Sequence, residues 1–78
     1  MERSQIIAKL EPILRDVFDN DDIEYRDNLS AADIEEWDSL SNVTLMVTVE
    51  RAFSTRFSTA EWGSLHNIGE LVTLLESR

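Results

Sequence analysis

The chain has 78 residues, a length that fits one small domain, and it contains no cysteine, which excludes disulfides and thiolate metal sites. Its net charge of −9 argues against a nucleic-acid partner, because a phosphate backbone repels such a surface. No apolar stretch reaches membrane-spanning length, and the N-terminus lacks the basic-then-apolar order of a signal peptide. We therefore expect a monomeric, cytoplasmic protein with a single domain, residues 1–78, and no membrane contact.

An apolar stripe predicts the first helix over residues 3–18. Its members recur at three- and four-residue steps: Ile6, Leu10, Ile13, Leu14, Val17 and Phe18. Ser4 is the candidate N-cap. Pro12 removes one helical hydrogen bond and crowds the preceding turn, so we expect a kink there, with a later start near Glu11 as the alternative.

A long acidic loop follows, over residues 19–37. Three apolar side chains are expected to pin it to the core: Ile23, Leu29 and Ile34. Residues 1–38 hold 12 of the 16 acidic side chains, and 10 of these lie between Asp16 and Asp38. Such a run either forms a solvated loop or steers basic partners towards the residues that follow it, and both interpretations stay open.

Residues 43–49, Val-Thr-Leu-Met-Val-Thr-Val, fit two kinds of secondary structure. Their β-branched content and alternating apolar side chains favour a strand. As a helix, the same region would direct one face towards a core. That face would comprise Asn42, Leu45, Met46, Val49 and Phe53.

Two further helices are expected after this segment. Ser58 or Thr59 can cap a short helix that ends near Leu65. Asn67 can cap a last helix. The buried stripe of this last helix would be Ile68, Leu71, Val72, Leu74 and Leu75.

The tripeptide Asp38-Ser39-Leu40 stands between the acidic loop and the apolar run. Asp38 is suited to cap a helix that starts at Ser39, because its carboxylate can accept a hydrogen bond from a first-turn N–H group. Ser39 would then expose its hydroxyl where the helix dipole and backbone N–H groups favour an anion, such as a phosphate ester. His66, the single histidine, is distant in sequence, and we expect it to be a surface or capping residue rather than part of a hydrolase triad.

These features together resemble an acyl carrier protein. The matching parts are Asp-Ser-Leu at 38–40, the segment 42–50, Phe53, the segment 57–62 and the terminal segment 68–75. The resemblance implies an all-α fold, a four-helix bundle of the acyl-carrier type with three main helices and a short third helix. It also decides the segment 43–49 in favour of a helix.

The resemblance implies a carrier and not an enzyme. A phosphopantetheinyl transferase would attach a 4′-phosphopantetheine arm from coenzyme A to Ser39, and the arm would hold an acyl or aminoacyl group as a thioester. The other partners would be a loading ligase and downstream transferases or synthases, as in fatty acid or polyketide biosynthesis. No catalytic residue and no metal site are expected.

Two departures from fatty-acid carriers favour a stand-alone carrier of a dedicated pathway. Many of those carriers have Asp-Leu-Gly-x-Asp before the serine, whereas residues 33–38 are Asp-Ile-Glu-Glu-Trp-Asp. Their second helix is also rich in glutamate, whereas here only Glu50 matches an acidic contact position. Two alternatives stay open: an aminoacyl or D-alanyl carrier, and an unmodified acidic adaptor.

Helical spacing and the resemblance assign two further sets of residues. The expected partner-recognition residues are Trp37, Asp38, Leu40, Val43, Val47 and Glu50. We expect Val47 to be partly exposed and Val43 partly buried, and Trp37 could instead pack over the loop. A cargo pocket is expected between the second and the last helices, with a closed core as the alternative. Its lining would be Leu45, Met46, Val49, Ile68 and Leu71.

Overall fold

The computed structural model describes residues Met1–Arg78 and consists of helices joined by loops, as predicted. The elements in chain order are α1 (Arg3–Phe18), a 3₁₀ turn (Ala31–Asp33), α2 (Ser39–Ala52), α3 (Thr59–Gly63) and α4 (Ile68–Glu76). The fold is therefore a four-helix arrangement with three main helices and a short third one. None of the helices is long and apolar enough to cross a membrane.

Helix α1 runs without interruption through Pro12, so the alternative start near Glu11 is wrong. The predicted stripe is buried on both sides of the proline, at Leu10 and Leu14, whereas Pro12 itself faces solvent. Burial of this stripe stabilises the helix across the missing hydrogen bond. The N-cap is Glu2 and not Ser4, because the first turn already begins at Arg3. A kink at Pro12 stays a prediction.

The core is one cluster of 14 buried apolar side chains, in which α1 packs against both α2 and α4. The three predicted loop anchors, Ile23, Leu29 and Ile34, all belong to this cluster. The loop is also tied to α4 by its backbone: the N–H of Ile68 donates to the carbonyl of Leu29 at 2.7 Å, and that of Gly69 donates to the carbonyl of Asp27 at 2.9 Å. These bonds satisfy N–H groups that a helix start leaves unpaired.

Residues 43–49 are helical, as the resemblance required, with Leu45 and Val49 fully buried against the rest of the core. The hydroxyls of Thr44 and Thr48 donate to carbonyl groups one turn earlier, at 3.1 and 2.7 Å. This satisfies their polar groups within the helix. Tertiary burial thus outweighs the strand propensity of the segment.

Side-chain caps define where α3 and α4 begin. Ser58 caps α3 in a reciprocal motif with Glu61, in which each side-chain oxygen accepts from the other residue's backbone N–H at 3.0 Å. Helix α3 ends at Gly63, two residues before the predicted end. Asn67 caps α4 as predicted and accepts from the N–H of Glu70 at 2.8 Å.

Candidate functional site

Ser39 is the first residue of α2 and is exposed. Asp38 is the N-cap, as predicted, and its carboxylate accepts from the N–H of Ser41 at 2.8 Å. In return the Ser41 hydroxyl oxygen accepts from the N–H of Asp38, also at 2.8 Å. This reciprocal motif fixes the start of α2 so that Ser39 lies in the first turn.

The N–H of Ser41 lowers the pKa of the Asp38 carboxyl below its usual range, and the Ser41 hydroxyl adds to this effect. A hydrogen bond donated to a carboxylate stabilises its charged form. Asp38 is therefore negatively charged at neutral pH, directly beside Ser39. Because Asp38 is also exposed, a partner protein can contact this charge.

The first two turns of α2 present apolar side chains to solvent. Leu40 is 77% exposed and Val43 is 53% exposed. The expectation of a partly buried Val43 is therefore wrong, because the helix directs this residue away from the buried Leu45 and the loop does not cover it. Val47, one turn further on, is half-buried and so partly exposed as expected.

Two other expected recognition residues make internal contacts. Glu50 is half-buried, and its carboxylate accepts from the N–H of Phe57 at 2.8 Å, which ties the end of α2 to the connection before α3. Trp37 packs on Phe18, with 5.0 Å between ring centroids. It is half-buried over the core, whereas the alternative considered for it was packing over the loop. Both residues thus have structural roles.

A cavity of about 240 Å³ opens between α2, α3, α4 and the long loop. Three of the predicted lining residues, Leu45, Ile68 and Leu71, form part of its wall. Met46 and Val49 do not, which corrects the prediction for both residues. Val49 is fully buried in the core, and the cavity lies beside the first half of α2, at the level of Asn42 and Leu45.

The cavity wall also contains three residues that were not predicted to line it, Asn42, Trp37 and Trp62. The side-chain oxygen of Asn42 accepts from the indole N–H groups of both tryptophans, each at 3.2 Å. A signal was present in the sequence, since a polar side chain on an otherwise apolar helix face needs hydrogen-bond partners. Nothing in the sequence indicated which residues supply them.

His66 lies in the connection between α3 and α4 and is exposed, as expected. Its backbone N–H donates to the carboxylate of Glu70 at 2.8 Å, and its ring nitrogen Nδ1 lies 3.2 Å from the same oxygen. The backbone contact is the main cause that lowers the pKa of Glu70. No group of three or more acidic or histidine side chains is arranged to hold a metal ion.

This fold matches a solved structure, the solution NMR structure of a holo acyl carrier protein from Geobacter metallireducens. The two proteins are 39% identical with a TM-score of 0.87, and the match covers 92% of this chain and 83% of the other. No protein-family model and no curated protein matches the chain. The identity and coverage place the chain in the acyl carrier protein family. Its fold is that of a carrier.

Proposed function

We propose that residues 1–78 form one carrier domain that holds an acyl or aminoacyl group as a thioester on a 4′-phosphopantetheine arm attached to Ser39. The domain would present this group to partner enzymes of a dedicated biosynthetic pathway. The observation that carries the proposal is the position of Ser39: it is an exposed hydroxyl at the first residue of α2, next to the ionised cap Asp38. Asn42, one turn later, lines a cavity.

The start of α2 fits a phosphodiester on Ser39. The Asp38 carboxylate accepts a hydrogen bond from the N–H of Ser41, and the Asp38 backbone carbonyl accepts one from the N–H of Asn42. The N–H groups at the very start of the helix have no intrahelical partner, and together with the helix dipole they favour a negative group on the first residue. A helix of 14 residues provides a full dipole at this point.

Attachment of the arm is a group transfer in which the chain supplies one atom. The Ser39 oxygen forms a bond to the phosphorus of coenzyme A that carries the phosphopantetheine, and the bond from this phosphorus to 3′,5′-adenosine diphosphate breaks. The hydroxyl proton would leave to a base on the transferase, because no group of this chain accepts a hydrogen bond from the Ser39 hydroxyl and the Asp38 carboxylate is engaged by the N–H of Ser41. Once attached, the arm supplies a terminal thiol that carries cargo as a thioester.

We propose that partner proteins bind the surface around Ser39. The phosphopantetheinyl transferase, the loading ligase and downstream transferases or synthases would contact Asp38 and the exposed apolar side chains of Leu40, Val43 and, at the edge, Val47. Trp37 and Glu50 would contribute through their exposed parts. The acidic loop before Ser39 would steer partners with basic surfaces towards this site.

The proposal is tested by intact mass after incubation with coenzyme A and a broad-specificity phosphopantetheinyl transferase. We expect the mass to rise by one phosphopantetheine in the wild type and to stay unchanged in Ser39→Ala. Ser4→Ala is the matched control, because Ser4 is likewise exposed in the first turn of a helix. This control should gain the same mass as the wild type.

A gain of mass in Ser39→Ala would contradict the assignment of the serine. No gain in the folded wild type, with this transferase and with the one from the host organism, would contradict the carrier proposal. That second outcome would favour the alternative of an unmodified acidic adaptor. If the mass does rise, loading of the modified protein with acyl or with aminoacyl groups separates the two carrier classes.

A further inference from the structure

Trp37, Asn42 and Trp62 form a hydrogen-bonded group in the wall of the cavity, which we call the indole clamp. Both indole N–H groups donate to one oxygen, that of the Asn42 side chain, at 3.2 Å each. A carbonyl oxygen accepts two hydrogen bonds, so this oxygen is fully used. The three residues come from the long loop, α2 and α3, and the indole clamp therefore joins three segments around the cavity.

Aromatic packing supports both ends of the indole clamp. Trp37 packs on Phe18 of α1 with 5.0 Å between ring centroids, and Trp62 packs on Phe57 with 5.5 Å. Phe18 and Phe57 are themselves buried in the core. Neither indole can swing away without losing both a hydrogen bond and an aromatic contact.

The cavity has a definite size while the indole clamp is closed. Its volume is about 240 Å³. For comparison, a closed apolar cavity of roughly 150 Å³ accommodates benzene, so by volume alone the present cavity, which is open to solvent and lined by 7 hydrophobic residues out of 12, holds on the order of ten carbon atoms or fewer. The side of the cavity that faces the core is formed by Leu45, Ile68 and Leu71, which are buried almost completely.

We propose that the indole clamp determines the size of cargo that the protein shelters. With the indole clamp closed, the cavity takes a compact acyl group, and a long acyl chain stays outside. Asn42 is the specificity-determining residue, since it holds both tryptophans in place. This inference rests on the proposed attachment of the arm to Ser39 and concerns only what happens to the cargo afterwards.

The test loads the protein directly with acyl-phosphopantetheine from butyryl-, octanoyl- or hexadecanoyl-coenzyme A, using the broad-specificity transferase. Intact mass verifies each product. Hydroxylamine then cleaves the thioester, and the loss of the acyl mass gives its rate. In the wild type we expect octanoyl to be cleaved roughly threefold to tenfold more slowly than hexadecanoyl, because a sheltered bond reacts only when its cover opens.

Tryptophan fluorescence gives a second readout, because the chain has only two tryptophans and both belong to the indole clamp. Octanoyl loading should shift the emission relative to the unacylated holo form, whereas hexadecanoyl loading should not. In Asn42→Ala, hexadecanoyl should become protected as well. The control is Thr44→Ala, an exposed position on the same helix, which should keep the wild-type pattern.

A second variant covers the case in which Asn42→Ala fails to fold. Trp62→Phe retains an aromatic ring next to Phe57 and removes one of the two N–H donors, and it should also extend protection to longer chains. Equal cleavage rates for all chain lengths in the wild type, or an unchanged length profile in the folded variants, would overturn the proposed role of the indole clamp. A failure to gain any mass would instead overturn the attachment at Ser39.

Discussion

At the scale of single residues, polar side chains set the starts of helices by accepting hydrogen bonds from backbone N–H groups of the first turn. Asp38 and Asn67 each occupy the N–H three residues ahead, and both caps follow from sequence because the donor lies within one helical turn. Gly69 is different, since its role depends on a distant neighbour. Its N–H donates to the carbonyl of Asp27, which lies so close that a β-carbon at Gly69 would overlap it.

Replacement of Gly69 should therefore destabilise the protein. We expect Gly69→Ala to lower the free energy of unfolding by about 2 kcal/mol, because α4 must move away from the loop to make room for the methyl group. The measurement is a urea titration followed by circular dichroism. Gly63→Ala is the matched control, since nothing lies within 4 Å of its β-carbon position. Equal stability of the two variants would contradict this prediction, because it would show that the loop moves away from residue 69 with no loss of unfolding free energy.

At the scale of elements, reciprocal caps define where α2 and α3 begin. Helices α2 and α3 each begin with a pair of residues whose side-chain oxygens accept from each other's backbone N–H groups, and at the 3₁₀ turn the Asp33 carboxylate accepts from the N–H of Ser30. Helix α2 depends on this most, because its β-branched sequence favours a strand when considered alone. Its cap and the burial of Leu45 and Val49 decide the structure together.

The cap of α2 should contribute to stability in a pH-dependent way. The folded pKa of Asp38 lies below the ordinary value of 3.8, so its charge stabilises the folded state above that value, and this contribution is lost as the pH falls through the folded pKa. Asp38→Asn keeps the shape of the cap and removes its charge. We expect the wild type to have the higher urea midpoint at pH 6, and we expect the difference to shrink once the pH falls below 3.8 and to be lost as the pH passes through the folded pKa.

Comparison with Asp38→Asn isolates this one group, because both proteins share every other carboxylate. A difference between their urea midpoints that stays constant down to pH 2 would mean that the charge of Asp38 does not stabilise α2. A circular dichroism spectrum at each pH verifies that both proteins are still folded before the titration begins.

At the scale of the whole molecule, the acidic residues and the exposed apolar residues are separated along the chain at Ser39. The acidic loop precedes it, and the exposed apolar side chains of Leu40 and Val43 follow it. The single acidic residue of α2 is Glu50, and its carboxylate accepts a hydrogen bond from the N–H of Phe57. Partners of this chain should therefore depend more on apolar contacts with α2 and on charges of the loop than on acids of α2.

This distribution predicts the effect of a polar substitution on docking. We expect Val43→Gln to lower kcat/KM of the phosphopantetheinyl transferase about fivefold, which corresponds to about 1 kcal/mol of lost apolar contact. Because Val43 is exposed, the melting temperature should not change. Thr44→Gln, also exposed on α2, is the control and should keep the wild-type kcat/KM. An unaffected Val43→Gln would remove this residue from the docking surface.

The two ends of the chain are joined at this scale as well. Arg3 at the start of α1 forms ion pairs with Asp27 in the loop at 2.8 Å and with Glu76 at the end of α4 at 2.6 Å. Tyr25 donates to the same Asp27 carboxylate. Burial, together with this hydrogen bond, raises the pKa of Tyr25 to about 12. The loop that leads to Ser39 is thereby attached to both terminal helices.

The sequence by itself determined the features that depend on near neighbours. The apolar stripe of α1 and the caps Asp38 and Asn67 follow from spacing within a few residues, the three loop anchors follow from their apolar character in an acidic loop, and the structure confirms all of them. These predictions succeed because helical periodicity and capping are short-range effects.

Only the tertiary structure decided the exposure of Val43, the internal role of Glu50 and the composition of the cavity wall. For Glu50 and the cavity wall the deciding contact comes from another segment, whereas Val43 is exposed because no other segment covers it. Trp62 reaches Asn42 across 20 residues of chain. Periodicity shows which residues share a helix face, but the partner of that face depends on how the helices pack together, and no local pattern contains that information.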